Sequence, residues 1–316
     1  MPIPTIDDIR AAHDRIRPHV HRTPVMTSHL LDRETGAQLF FKCENLQNVG
    51  AFKARGACNT VFSLTDEEAA RGVATHSSGN HGAALARAAG LRGIPAHIVM
   101  PRNAPMVKQR AVAGYGGNII FCEPTPAARE EACDRVLAET GATLVHPYND
   151  YRVIAGAATA AVELLEDVPD LDIVIAPVGG GGMLSGTSLT FRALRPTATI
   201  LGAEPREADD AALSLAAGHI VEKPAHTVAD GLRTPLGELT FGVIRTHVSD
   251  ILTVSEDGIV AAYRRLWEIL KTIVEPSGAV GFAAVCEHRE RFEGKRVGIM
   301  VTGGNIDLDT LPFGGG

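Results

Sequence analysis

Nine short runs rich in apolar and β-branched residues punctuate the chain: QLFFKCE, VATHS, AHIVMP, NIIFCEP, TLVHP, DIVIAPV, TILGAEP, ILTVSE and RVGIMVTGG. Each reads as a strand, and the stretches between them space their apolar residues as helices do. TDEEAARG opens with the Thr65-to-Glu68 spacing of a capping box, and GIVAAYRRLWEILKTI carries apolar residues three and four apart. Strands alternating with helices predict an α/β fold with mostly parallel sheet. DIVIAPV and RVGIMV are almost wholly apolar, as expected of core strands covered on both faces. Four strand signals fall between about residues 70 and 148. They predict a small domain over 70–148, inserted in a larger one built from residues 1–69 and 149–316.

Composition narrows the function classes. A 316-residue chain that is 45% hydrophobic can bury a large core. Its net charge of -7 comes without a basic stripe, which argues against nucleic-acid binding and leaves small soluble partners. Five cysteines with no C-x-x-C pair argue against a disulfide framework or a structural zinc. MPIPTIDDIR lacks a basic-then-apolar signal, and no apolar run is long enough to span a bilayer. A cytoplasmic protein without a membrane partner is the expectation.

The six lysines can be taken one by one. Lys108, Lys223, Lys271 and Lys295 read as solvated surface residues, and alternation within FFKCE could put Lys42 on a polar face. Lys53 differs, because Ala51, Ala54, Gly56 and Ala57 let backbone or a flat ligand come close, and burial lowers an amine's pKa toward a nucleophilic state. A purely structural lysine is the alternative. VGGGGMLSG follows an apolar strand and opens a helix, so the N–H groups of Gly179, Gly180, Gly181 and Gly182 can converge on a phosphate. The spacing fits neither G-x-G-x-x-G nor a Walker loop, which weighs against a dinucleotide-dependent oxidoreductase. THSSGNHGAAL makes a second strand-to-helix turn whose Ser77, Ser78 and Asn80 suit a carboxylate or a ring oxygen, or simply cap the helix. His76 and His81 read as structural, since their spacing makes no metal site. Thr302, in VTGGNID, ends a strand at the edge where α/β folds bind ligands. An amine, a phosphate cradle, an anion turn and a strand-end hydroxyl would together suit an aldehyde cofactor with a phosphate tail.

FKCENLQNVGAFKARGACN, THSSGNHGAAL, PVGGGGMLSG, EPSGAVGF and VTGGNIDL resemble, in order, the signature segments of the serine racemase and serine/threonine dehydratase group. These are fold-type II pyridoxal 5'-phosphate (PLP) enzymes, similar to the tryptophan synthase β chain. The resemblance covers almost the whole chain. It implies two open, twisted, mostly parallel sheets flanked by helices, and a homodimer. It implies that Lys53 carries PLP, with Phe52 beside the ring, Asn80 at the ring oxygen, Gly179 to Gly182 around the phosphate and Thr302 at the pyridine nitrogen. Ser77, Ser78, Gly79, Asn80 and His81 resemble the loop that receives the substrate carboxylate, and Ser78 the opposite-face acid/base of racemases. Glu204, Ala208 and Asp210 resemble a divalent-cation site suited to Mg2+ or Ca2+, with Ala208 giving its carbonyl; a plain acidic surface turn is the alternative. Arg129 resembles an arginine that meets a second substrate carboxylate, though it also reads as a solvated helix residue. The implied activity is dehydration of L-serine, L-threonine or 3-hydroxyaspartate to a 2-oxo acid and ammonia, with serine racemase as the alternative. The chain departs from relatives at Tyr148, an asparagine in animal serine racemases, and at IAGAAT, where relatives often have glutamine after IAG.

Overall fold

Strands that are apolar on both faces do lie at the centre. In the computed structural model, which describes residues 2–77, 79–308 and 311, Val297, Ile299 and Met300 are wholly buried, and every residue from Ile173 to Pro177 is buried. The strands are β1 (Val25–Met26), β2 (Gln38–Cys43), β3 (Val73–His76), β4 (Ala96–Pro101), β5 (Asn118–Cys122), β6 (Thr143–Leu144), β7 (Ile173–Pro177), β8 (Thr199–Pro205), β9 (Asp250–Val254) and β10 (Arg296–Val301). One sheet runs β1-β2-β10-β7-β8-β9 and is parallel apart from the β1–β2 pair. The other, β5-β4-β3-β6, is parallel throughout and uses chain only between Val73 and Leu144.

Every predicted strand is present, and β1 was missed because two residues show no periodicity. The Thr65–Glu68 box caps the helix Asp66–Ala70 reciprocally. The helix Glu256–Leu270 buries Ile259, Ala262, Tyr263, Leu266 and Leu270, the stripe its spacing predicted. On one face of the larger sheet the helix Pro276–Glu287 packs Phe282 edge-on to Phe41, with ring centroids 5.6 Å apart. The helices Tyr151–Asp167 and Gly182–Leu194 bring Leu164, Leu184 and Phe191 into a second core with Val174 and Met300.

Glycines decide how closely the helix Lys53–Ser63 meets the helix Tyr151–Asp167. A Cβ on Gly156 would lie 2.6 Å from the Arg55 carbonyl, and one on Gly56 2.8 Å from Val153. That close approach buries a charged network. Arg55 Nε and Nη2 donate to the two Glu44 oxygens at 2.7 and 2.8 Å, and its Nη1 and Nη2 donate to Glu163 at 2.8 and 2.7 Å. Lys42 Nζ donates to Glu163 Oε2 at 2.6 Å and to the Thr23 carbonyl at 2.7 Å. All four side chains are at most 3% exposed. Lys42 is therefore not on a polar face: β2 lies between β1 and β10, both its faces are covered, and the lysine is tolerated because Glu163 pairs with it.

Burial would push Glu163 up, yet the Arg55 guanidinium and then the Lys42 ammonium hold it below the usual carboxylate range. Glu163→Ala leaves Lys42 without its carboxylate and Arg55 with Glu44 alone, one uncompensated buried positive charge, and should destabilise the fold by about 3–5 kcal/mol in urea unfolding. A loss under about 1 kcal/mol would show that the network relaxes or hydrates without it.

Candidate active site

Between the two sheets lies a cleft of about 710 Å3, and the strand-to-helix turns picked out in the sequence open onto it. Phe52 donates its backbone N–H to the Thr302 carbonyl at 3.1 Å, which ties the start of the lysine helix to the end of β10. Lys53 Nζ donates to the Pro147 carbonyl at 2.8 Å and sits 4.8 Å from the Phe52 ring centroid. The stem is half-buried, but the amine end has lost its water, and that burial pushes it down to about 8.

Gly179 to Gly182 connect β7 to the helix Gly182–Leu194. Their N–H groups donate to no described residue, which leaves a set of donors at a helix N-terminus. A Cβ on Gly180 would lie 2.3 Å from the Tyr148 ring and one on Gly179 3.0 Å from the Gly231 carbonyl, so a side chain at either position would force the Tyr148 ring or the Gly231 backbone to shift. Gly181, at φ +86°, also needs glycine's backbone freedom. A buried low-pKa amine and a free N–H cradle in one cleft fit a phosphorylated aldehyde such as PLP.

The turn after β3 caps its helix and also faces the cleft. Ser77 Oγ accepts from the N–H groups of Gly79 and Gly82 at 3.3 and 3.2 Å, which is capping, while Gly79 and Asn80 line the cleft. Ser78 lies outside the described residues. His81 is 2% exposed and its Nε2 meets the Val145 carbonyl at 3.0 Å; burial, then the Lys53 charge, pushes it down to about 3. His146 accepts the N–H groups of Tyr148 and Asn149 on Nδ1, and burial, then His76, takes it down to about 4. These histidines are neutral next to the amine.

Arg129 reaches the same cleft from the helix Pro126–Thr140. Its guanidinium makes no hydrogen bond or ion pair with a described residue. Lys108 overturns the expectation of a solvated lysine: its side chain is 14% exposed and ion-paired to Asp230 across the cleft. Tertiary packing carries its helix over the cleft mouth, which its local sequence does not reveal. Lys223, Lys271 and Lys295 are exposed, as expected. Sequence reasoning missed Glu275 and Asn305, whose partners lie far away in the chain, and treated Tyr148 only as a departure.

Glu204 and Asp210 meet outside the cleft, at the end of β8 and the start of the helix Asp210–Ala217. Glu204 accepts the Ala211 and Ala212 N–H groups at 3.3 and 2.6 Å. Burial first, opposed by those bonds and reinforced by Asp210, pushes Glu204 up to about 8; burial also takes Asp210 up to about 6. Asp210 Oδ2 is buried without a partner among the described residues, and Ala208 is wholly buried. Among the described residues, no three His, Cys, Asp or Glu side chains converge on one metal position, so a cation here needs backbone or water oxygens as well.

Comparison with known proteins agrees with this geometry. The sequence profile of the pyridoxal-phosphate dependent enzyme family matches residues 16–303. The β-hydroxyaspartate dehydratase of Paracoccus denitrificans (strain Pd 1222) is 56% identical over 314 residues, covering 99% of this chain and 100% of that one. Arabidopsis thaliana serine racemase is 51% identical, with 96% and 93% covered. The structure of maize serine racemase superposes with a TM-score of 0.96 at 51% identity, covering 98% of this chain and 96% of that one. With its profile match and whole-length relatives added to the cleft, the chain belongs to the pyridoxal-phosphate-dependent enzyme family.

Proposed function

We propose that the chain is a dehydratase, or ammonia-lyase, whose preferred β-hydroxy amino acid is 3-hydroxyaspartate. The observation that carries this reading is Arg129, a cleft cation with no acid partner among the described residues. Serine and threonine offer it nothing to pair with, whereas the side-chain carboxylate of 3-hydroxyaspartate does. The relative named β-hydroxyaspartate dehydratase supports the same choice.

Bound PLP supplies a ring that takes up the electron pair left when the Cα–H bond breaks. Around it, the N–H groups of Gly179 to Gly182 would hold the phosphate and Thr302 would face the pyridine nitrogen. A hydroxyl there is a poorer partner for a protonated nitrogen than a carboxylate, which disfavours long storage of charge and favours prompt loss of β-hydroxide. Lys53, its amine drawn down to about 8, has a far larger neutral fraction in neutral solution than an ordinary lysine, and in that form can take the Cα proton. Loss of that proton and of hydroxide from Cβ amounts to one water, and hydrolysis then gives a 2-oxo acid and ammonia. Neutral His81 and His146 keep further positive charge away from Lys53.

The test is 2-oxo-acid release across both 3-hydroxyaspartate diastereomers, L-serine, D-serine and L-threonine. Arg129→Met should lower kcat/KM for 3-hydroxyaspartate roughly 10- to 150-fold, the worth of a charge-assisted pair, and change L-serine turnover less than about threefold. Equal losses on both substrates would remove Arg129 from the substrate. D-serine forming from L-serine faster than pyruvate would favour the racemase, the reading that the 51% identical relatives support.

The same proposal includes Mg2+ or Ca2+ held by Glu204, Asp210 and the Ala208 carbonyl, on the strength of the partnerless Asp210 oxygen and two carboxyls that burial resists ionising. Chelator should lower the melting temperature and Mg2+ restore it, while Asp210→Ala should abolish the response. A full Mg2+ response in Asp210→Ala would leave this turn without an ion.

A further inference from the structure

Glu275 stands at the N-cap of the helix Pro276–Glu287 but gives that helix no side-chain cap bond. It is 4% exposed and lines the cleft, with no cation among the described residues in hydrogen-bonding contact. Its Oε1 accepts from Asn80 Nδ2 at 2.9 Å, while Oε2 is buried without a hydrogen-bond partner among the described residues. Burial first, then the charge of Asp230, pushes this carboxyl up to about 8 against the opposing pull of Lys108, Asn80 and the Asn305 backbone. A carboxyl this costly to bury calls for a use beyond packing.

The use follows from a chain of amides that begins at a group unable to turn over. The Val49 carbonyl accepts from Asn305 Nδ2 at 2.7 Å, so Asn305 must present its nitrogen there. The other hydrogen of that nitrogen goes to Asn80 Oδ1 at 3.0 Å, which requires Asn80 to show its oxygen to Asn305 and its nitrogen to Glu275. One hydrogen of Asn80 Nδ2 is spent on Glu275, and the second is left on a residue that lines the cleft. The anchor is itself held under strain: Val49 sits at φ +58°, unusual for a β-branched residue. Gly50 and Gly303 leave the chain room, since a Cβ would lie 2.6 Å from Asn305 Oδ1 in the first and 2.2 Å from Glu275 Oε1 in the second.

We propose that the Val49 carbonyl, Asn305, Asn80 and Glu275 form an amide lock that keeps the Asn80 nitrogen turned toward the ring oxygen of the cofactor. Glu275 and Asn305 are then positioning residues for the charge state of that oxygen. A donor facing the ring oxygen favours its anion, whereas a flipped amide would face it with an acceptor and oblige it to keep its proton. The lock rests on the PLP reading and on Asn80 facing the ring oxygen, and extends both to residues that need not touch the cofactor.

The two charge states absorb differently, in the visible and in the near ultraviolet, so the lock can be read without turnover. In purified PLP-loaded protein, Glu275→Leu and Asn305→Ala should each lower the visible-to-ultraviolet absorbance ratio about three- to tenfold, the equilibrium worth of one hydrogen bond. Asn80→Leu, which removes the donor, should lower it at least as far. Asn305→Ala reads the lock from its other end should Glu275→Leu fold poorly. Wild-type ratios in both lock variants, with a reduced ratio in Asn80→Leu, overturn the lock alone. Unchanged ratios in all three remove Asn80 from the ring oxygen and overturn it as well. A wild-type protein with no visible PLP band would overturn the cofactor reading and the lock with it.

Discussion

Arg55 clasps Glu44 on one side and Glu163 on the other, and through them joins the end of β2, the lysine helix and the helix Tyr151–Asp167. None of these charges reaches water, so none can move without leaving another unpaired. Lys53 is two residues before Arg55 and inherits that rigidity. A base that must meet a Cα proton within hydrogen-bonding reach gains from such a fixed origin. The glycine contacts at Gly56 and Gly156 serve the same end, because only close-packed helices bring the guanidinium between both carboxylates.

The cleft uses burial differently. There it disfavours charge: it draws the Lys53 amine down to about 8 and His146 to about 4, and pushes Glu275 up to about 8. Against this background two cations differ in what answers them. Lys108 is paired with Asp230, which draws a helix and a loop together across the cleft, whereas the Arg129 guanidinium bonds to no described residue. That contrast is the ground on which the proposed function assigns a second substrate carboxylate to Arg129. Tyr148 forms the wall between these features, since its ring covers Gly180 and its phenol is pushed up by burial and then by Asp210.

Much of this was legible in the sequence. Near-continuous apolar runs located the central strands, and glycine runs at strand ends located the turns that open on the cleft. Small residues around Lys53 singled it out, and Gly56 shows why they are small. What escaped was tertiary. Lys42 and Lys108 look alike as isolated lysines, yet one is sealed against Glu163 and the other spans the cleft, partners 121 and 122 residues away. Glu275 meets Asn80 across 195 residues, a distance at which no local spacing rule operates. Ser77 was legible only as two alternatives, and its hydroxyl caps the helix start while its neighbours line the cleft.

The central claim is that the cofactor is attached at Lys53, and borohydride reduction followed by peptide mass mapping tests it most directly. A reduced PLP adduct on the peptide containing Lys53, absent in Lys53→Ala, is the predicted result. An adduct on Lys42, Lys108 or any other lysine of the wild-type protein, or none at all in PLP-saturated protein, would contradict it.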